Sequence, residues 1–211
     1  MGEANVSRET MPEVARELAG ENLDKLRQFA ADLEDRGELL GLIGPLEVPR
    51  LWTRHIVNSA LLAPLIEQNA QVADVGTGGG LPGLVLAIVR PDAHFRLIEP
   101  MERRCDWLRE QIEKLELKNT AVLRGRVEEF HGAFEVDQIT ARAVTSLKKL
   151  IPITAPMLRP GGEFLFLKGQ SVDAEITAAQ KVLRRHRVEN ARAEVLGEGV
   201  TEITRVFRAN V

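Results

Sequence analysis

The stretch Val72-Ala73-Asp74-Val75-Gly76-Thr77-Gly78-Gly79-Gly80-Leu81-Pro82-Gly83 constrains the fold more than any other part of the chain. An apolar strand runs into a turn so rich in glycine that only backbone can line it, and Pro82 then marks the first turn of a helix. Glycine permits positive φ and lets a ligand approach the main chain with no Cβ in the way. The unpaired N–H groups of the helix start, carrying about half a positive charge from its dipole, face that turn. Such a unit places a cofactor site at the carboxyl end of the first strand of an open parallel sheet.

Gly78-x-Gly80-x-x-Gly83 matches the dinucleotide fingerprint in form but not in register. In a dinucleotide fold the first glycine follows the strand directly. Here that glycine is Gly76, and its series Gly76-x-Gly78-x-Gly80 has no glycine where the third should fall. Asp74 is a second difference, because a carboxylate at the strand end suits a cationic, amine-bearing ligand and would crowd a pyrophosphate. Asp-x-Gly-x-Gly-x-Gly resembles the opening motif of class I methyltransferases. The resemblance implies S-adenosyl-L-methionine as cofactor, with Asp74, Gly76 and Gly78 at its site.

A chain of 211 residues has room for one full core, and a short N-terminal extension (1–70) on one methyltransferase domain (71–211) is the expected organisation. Its single cysteine, Cys105, excludes an intramolecular disulfide and any cysteine-rich metal site, and it fits a reducing compartment. No metal is expected. There is no basic-then-apolar N-terminal signal and no apolar run of membrane-spanning length, so a cytoplasmic protein is expected. The net charge of −3 means that a nucleic-acid partner would have to meet a local basic surface.

Residues 1–40 are helical in pattern, with Leu23, Leu26, Phe29, Ala30 and Leu33 covering one edge of the core and Gly37 as a stop. Residues 41–45 read as a loop, and Pro49 opens a second helix carrying Leu51, Trp52, His55, Ile56, Ser59 and Leu62. From residue 71 strands and helices alternate, predicting parallel strands at 71–75, 94–99, 120–124, 136–140 and 163–168. Helices are expected at 82–90, 101–116, 145–157 and 172–186. Residues 187–196 and 202–208 flank Gly197-Glu198-Gly199 as a terminal hairpin. The expected fold is therefore α/β, a Rossmann-like doubly wound sheet of the class I methyltransferase kind, mostly parallel with an antiparallel hairpin at its end and N-terminal helices added.

Glu99 closes the second strand, where a carboxylate can accept both hydroxyls of an adenosine ribose. Val127 and Glu128 follow the third strand, where an adenine ring and its edge would lie. The fourth strand ends Ile139-Thr140-Ala141-Arg142-Ala143 and lacks the Asn or Asp, paired prolines and aromatic usual in enzymes that methylate exocyclic amines. Cys105 lies on the helix after the second strand, away from the transfer site, and reads as a packing residue rather than a nucleophile. Arg142 and Lys168, at the ends of neighbouring strands, are expected to share an electropositive rim with Lys148 and Lys149, extended by Arg50, Arg54 and His55. The alternative for each is an ordinary solvated charge. Arg184-Arg185-His186-Arg187 closes a helix, where cations favour the dipole with no partner.

Taken with Trp52-x-x-His55-x-x-x-Ser59, Gly125-Arg126-Val127-Glu128-Glu129-Phe130, Arg142-Ala143 and Leu167-Lys168-Gly169-Gln170, the glycine motif resembles one family over nearly the whole chain. It is the bacterial small-subunit (16S) ribosomal RNA guanine-N7 methyltransferase G family, long called glucose-inhibited division protein B. The resemblance implies cofactor contacts at Gly76, Leu81, Val127, Glu128 and Arg142, with Glu99 as the ribose acid. It also implies 16S ribosomal RNA in an assembling small subunit as partner, and a monomer is expected. Asn58 stands where the family usually has Asp. Arg142, Lys168 and His55 are candidates for positioning, with no catalytic base, because guanine N7 has a lone pair and no proton to remove. The rival readings are a small-molecule methyltransferase with a closed apolar pocket, a cofactor-sensing or RNA-binding module without turnover, and a dehydrogenase.

Overall fold

The computed structural model describes residues 9–44 and 46–211; residues 1–8 of the expected first helix, and Pro45 of the expected loop, lie outside it. Seven strands form one sheet in the order β3-β2-β1-β4-β5-β7-β6. Strands β1 (Gln71–Val75), β2 (His94–Glu99), β3 (Thr120–Arg124), β4 (Val136–Arg142) and β5 (Leu158–Lys168) are parallel. Strand β7 (Thr204–Asn210) runs antiparallel to β5 and pairs with β6 (Glu189–Leu196) to make the terminal hairpin. The order reverses between β1 and β4, and that switch point is where an open α/β sheet presents a crevice to ligands.

The helix after the glycine turn, α4 (Gly83–Val89), is buried along its entire length. A helix with no polar side needs cover on both faces. The sheet supplies one; the other comes from α1 (Glu13–Ala19) and α2 (Leu23–Arg36), whose Ala19, Leu26, Phe29 and Leu33 join the same core as Leu84 and Leu86. The N-terminal residues thus form a third layer over one face of the sheet, rather than closing an edge. They also divide at Gly20, which takes a φ of 52° between α1 and α2. On this side lies α5 (Glu102–Lys114); α6 (Leu147–Thr154) and α7 (Val172–Arg185) cover the opposite face with Phe164, Phe166 and Phe207.

Three further boundaries differ from expectation. The helix expected from Pro49 begins as a short 3-10 turn, continues as a π-helix over Leu51–Val57 and ends as α3 (Asn58–Ala60). The strand expected at 163–168 begins earlier, so that residues 158–162 lie inside β5 as an irregularity opposite Val136 and Gln138, with Gly161 at a φ of 84°. Strand β4 runs on through Arg142, which pairs in register with Leu167. Among the described residues no helix is long and apolar enough to cross a membrane.

Candidate active site

Alternation along the strands decides which way each polar residue at the sheet's carboxyl end points. Ala73, Val75, Ile139 and Ala141 enter the core beneath α6 and α7, so Asp74, Thr140 and Arg142 face the N-terminal helices. Asp74, expected to meet the cofactor directly, is fully buried there. Its Oδ2 accepts from the Gly83 N–H (2.9 Å) and its Oδ1 from the Thr140 hydroxyl (2.8 Å), fastening β1 to the start of α4 and to β4. A Cβ on Gly83 would collide with Asp74 and Leu97, so close packing fixes that glycine.

The turn itself is built from positive φ at Gly76 (69°), Gly78 (58°) and Gly80 (95°). Gly79 is held from both sides, by Leu42, which a Cβ there would crowd, and by the Trp107 indole, which donates to its carbonyl (3.1 Å). Gly76 lies under Val144, whereas a Cβ at Gly78 would meet no atom closer than 3.9 Å. Gly78 therefore has room for a Cβ, at ordinary contact distance from the Gly76 carbonyl oxygen and Arg104 Nη1. Beside it, the Glu99 carboxylate accepts from the N–H groups of Gly78 and Met101 (both 3.0 Å), with Arg104 Nη1 at 3.8 Å and the Arg104 Nε buried without a partner. Val127 is buried at the end of β3 and Glu128 is exposed. Leu81 is buried in the core with Leu84 and Leu86. Cys105 is buried, donates its S–H to the Glu99 carbonyl (3.1 Å) and has its thiol pKa pushed up by burial.

Across the switch point lies a cleft of about 560 Å³ between β4, β5, the π-helix and the start of β7, lined by Asn58, His55, Arg142 and Thr145 among others. His55 sits on the π-helix with both nitrogens engaged. Nε2 bonds Glu47 Oε2 (2.7 Å), and Arg142 Nη2 donates to Nδ1 (3.0 Å). An imidazole that accepts from a guanidinium at Nδ1 is neutral, and burial together with the Arg142 charge pushes its pKa below the ordinary value. Burial also lowers the Arg142 pKa to about 10, which leaves it charged at neutral pH.

The expected continuous basic rim is not formed. Arg142 pairs with Leu167, so Lys168, one residue further, leaves its strand on the opposite side, although both line the cleft. There its Nζ bonds Glu175 and the Thr145 carbonyl (both 2.8 Å), while Glu175 also accepts from the Leu147 N–H, so that the pair clamps the 143–147 loop onto α7. Arg50 pairs with Glu202 and Arg54 with Glu47, leaving the cleft rim near neutrality. Lys148 and Lys149 are exposed on α6 and form no ion pair among the described residues.

The family model described as rRNA small subunit methyltransferase G matches residues 22–204. The chain belongs to that family. A relative of that name from Clavibacter michiganensis is 53% identical over 204 residues, covering 96% of each chain. Another, from Thermobifida fusca, is 48% identical over 94% of this chain and 84% of its own. Among solved structures, M. jannaschii TYW2 in complex with AdoMet superposes with a TM-score of 0.59 at 15% identity, covering 75% of this chain and 76% of that one. TrmN from Thermus thermophilus gives 0.54 at 22% identity, over 75% and 53%. These likenesses place the fold among class I methyltransferases.

Asn58 donates its amide to Thr204 Oγ1 (2.6 Å), tying α3 to β7. Asp74 carries a measurable consequence. Burial raises its pKa from 3.8 to about 6, only partly opposed by its hydrogen bonds. Because the folded state then holds the proton more tightly than the unfolded chain, this carboxyl's stabilising share is complete below the unfolded pKa and is lost as pH rises through the folded one. The loss is ~3 kcal/mol between about pH 4 and 6. In Asp74→Asn, whose amide can serve Gly83 and Thr140 alike, urea unfolding should lack that component. An identical pH dependence in both proteins would show that Asp74 does not titrate in this range.

Proposed function

We propose that this protein transfers a methyl group from S-adenosylmethionine to N7 of a guanine in 16S ribosomal RNA, by positioning alone and with no covalent intermediate. Membership of the methyltransferase G family supports small-subunit ribosomal RNA as the substrate. The observation that carries the positioning mechanism is His55: with Nδ1 accepting from Arg142 and Nε2 held by Glu47, it keeps no lone pair free to act as a base. Guanine N7 needs none. Its lone pair forms the new bond and no proton leaves, so orientation of the reactants, worth about 7 to 11 kcal/mol in favourable cases, can supply the catalysis.

The residues present fit the cofactor. S-adenosylmethionine, when bound, supplies a methyl group on a sulfonium centre. The uncrowded Cβ position of Gly78, the adjoining Glu99 carboxylate and the Arg104 guanidinium gather polar groups at the end of β2, with Val127 and Glu128 beyond them after β3. Arg142 lines the cleft on the acceptor side of the switch point. In duplex RNA N7 lies in a deep groove that side chains do not enter, so the target guanine is unpaired or turned out, and the openness of the cleft suits a splayed base better than a closed small-molecule pocket would. The protein acts in this reading as a cytoplasmic monomer on an assembling subunit.

Nucleoside mass spectrometry of 16S ribosomal RNA from a deletion strain tests the assignment. The 7-methylguanosine signal should fall and return on complementation; loss of a different methylated nucleoside instead would move the acceptor atom. Phosphate contact rests on Lys148 and Lys149. Replacing both with alanine should reduce the slope of log affinity for the subunit against log salt by about 1 to 2, with cofactor affinity unchanged. An unaltered slope would make them ordinary surface residues.

A further inference from the structure

Three side chains from separate parts of the chain meet beside the cleft: Glu47 from the segment before the π-helix, His55 from the π-helix and Arg142 from the end of β4. We propose that Glu47 is a positioning residue of the reaction, which through His55 holds the Arg142 guanidinium in its place on the cleft wall. The inference rests on the reading of the protein as a positioning methyltransferase.

The chemistry of the three groups gives the chain of hydrogen bonds a single direction. A guanidinium only donates, so His55 Nδ1 must accept; a neutral imidazole then carries its proton on Nε2, and Glu47 must accept it. The other tautomer would set an N–H against Arg142 and leave Nε2 facing a carboxylate with nothing to donate. Glu47 thus decides which nitrogen holds the proton, as a carboxylate behind a histidine commonly does. Glu47 is itself secured by Arg54 Nε (2.8 Å), and the Arg54 carbonyl receives Arg142 Nη1 at 3.4 Å. Arg142 is further favoured in place by the charge of buried Asp74. The arrangement spends two of the guanidinium's five donors on the protein, leaving others for an anionic oxygen, whether a cofactor carboxylate or an RNA phosphate.

A purely structural role for Glu47 would anchor the segment before the π-helix and nothing more. Glu47→Gln and Glu47→Leu separate the two. The glutamine carbonyl can still accept from Nε2–H, so this variant should keep the Nε2–H tautomer in long-range nitrogen–proton NMR and remain within about 3-fold of the wild-type single-turnover rate at saturating cofactor and subunit. Glu47→Leu should show the tautomer lost or mixed and the rate lowered by about 10- to 100-fold, the effect of losing one hydrogen bond to a charged group. Its thermal midpoint should stay close to that of Glu47→Gln. Should Glu47→Leu not fold, His55→Asn, whose side-chain oxygen can accept from Arg142, should retain at least 10-fold more activity than His55→Leu. The proposal is overturned by a wild-type rate in Glu47→Leu, by an equal loss in the Gln and Leu variants, by one imidazole tautomer throughout, or by equal activities in the two His55 variants. Titrating S-adenosylmethionine and an RNA fragment separately against Arg142→Ala shows which ligand's anion the guanidinium holds. Failure of wild type to form 7-methylguanosine would instead remove the underlying reading, and the tautomer measurement would still stand.

Discussion

Arg142→Ala should lower the single-turnover methylation rate by about 10²- to 10³-fold at every pH tested while the protein remains folded, the loss expected when one preorganised charged donor is removed from an active site. Arg142 sits on the last residue of β4, at the switch point, where the strand's alternation aims it at the cleft and away from α6 and α7. Its removal leaves His55 Nδ1 without a donor, a cost of ~1–3 kcal/mol, but also relieves the burial of a charge, so the net change in stability should be modest. Arg142→Lys should rescue little, because an ammonium cannot bridge His55 and a ligand as a planar fork does. In wild type the rate should be nearly flat between about pH 7 and 9, since no essential proton is lost and burial keeps His55 neutral. Rapid-quench assays with tritiated cofactor on small subunits, beside thermal melts, measure both quantities. Less than a tenfold loss would reduce Arg142 to a rim charge, and a steep neutral-pH limb that vanishes in His55→Ala would mean that a general base exists.

The sheet was legible because its strands are apolar runs punctuated by turn residues, and β1, β2 and β3 fall on the expected residues. The glycine turn was legible for the same local reason. Register was not. Whether Arg142 and Lys168 share a face depends on the pairing of β4 with β5, and the one-residue offset that separates them cannot be read from either strand alone. The inward turn of Asp74 had a signal: it shares parity with buried Val72, so a strand covered on both faces would bury it as well. Glu47 had none, since it lies in an aperiodic segment and acquires its role only when the π-helix brings His55 between it and β4. The π-helix is likewise invisible to a search for 3.6-residue periodicity.

Gly78→Val should abolish S-adenosylmethionine binding, weakening it by more than about 100-fold, and it should also destabilise the fold. Two effects are combined, because Gly78 has a φ of 58° and its Cβ position, with no atom closer than 3.9 Å, lies beside Arg104. A branched residue in the left-handed region costs ~1–3 kcal/mol wherever it occurs. That strain lowers the folded population without by itself preventing a folded molecule from binding. Occlusion is different: the valine side chain would stand beside Arg104 Nη1, next to the Glu99 carboxylate that holds the Gly78 N–H. Gly161→Val separates the terms, since Gly161 has a φ of 84° and nothing within 4 Å of its Cβ position but lies near the amino end of β5, at the far end of the sheet. It should lose a comparable amount of stability and keep wild-type cofactor affinity. Calorimetry on both variants, below their melting transitions and with S-adenosylmethionine and NAD titrated in turn, decides the matter. Unimpaired binding in Gly78→Val would mean the cofactor lies elsewhere, and tight NAD binding by wild type with no S-adenosylmethionine signal would return the glycine turn to the dinucleotide class.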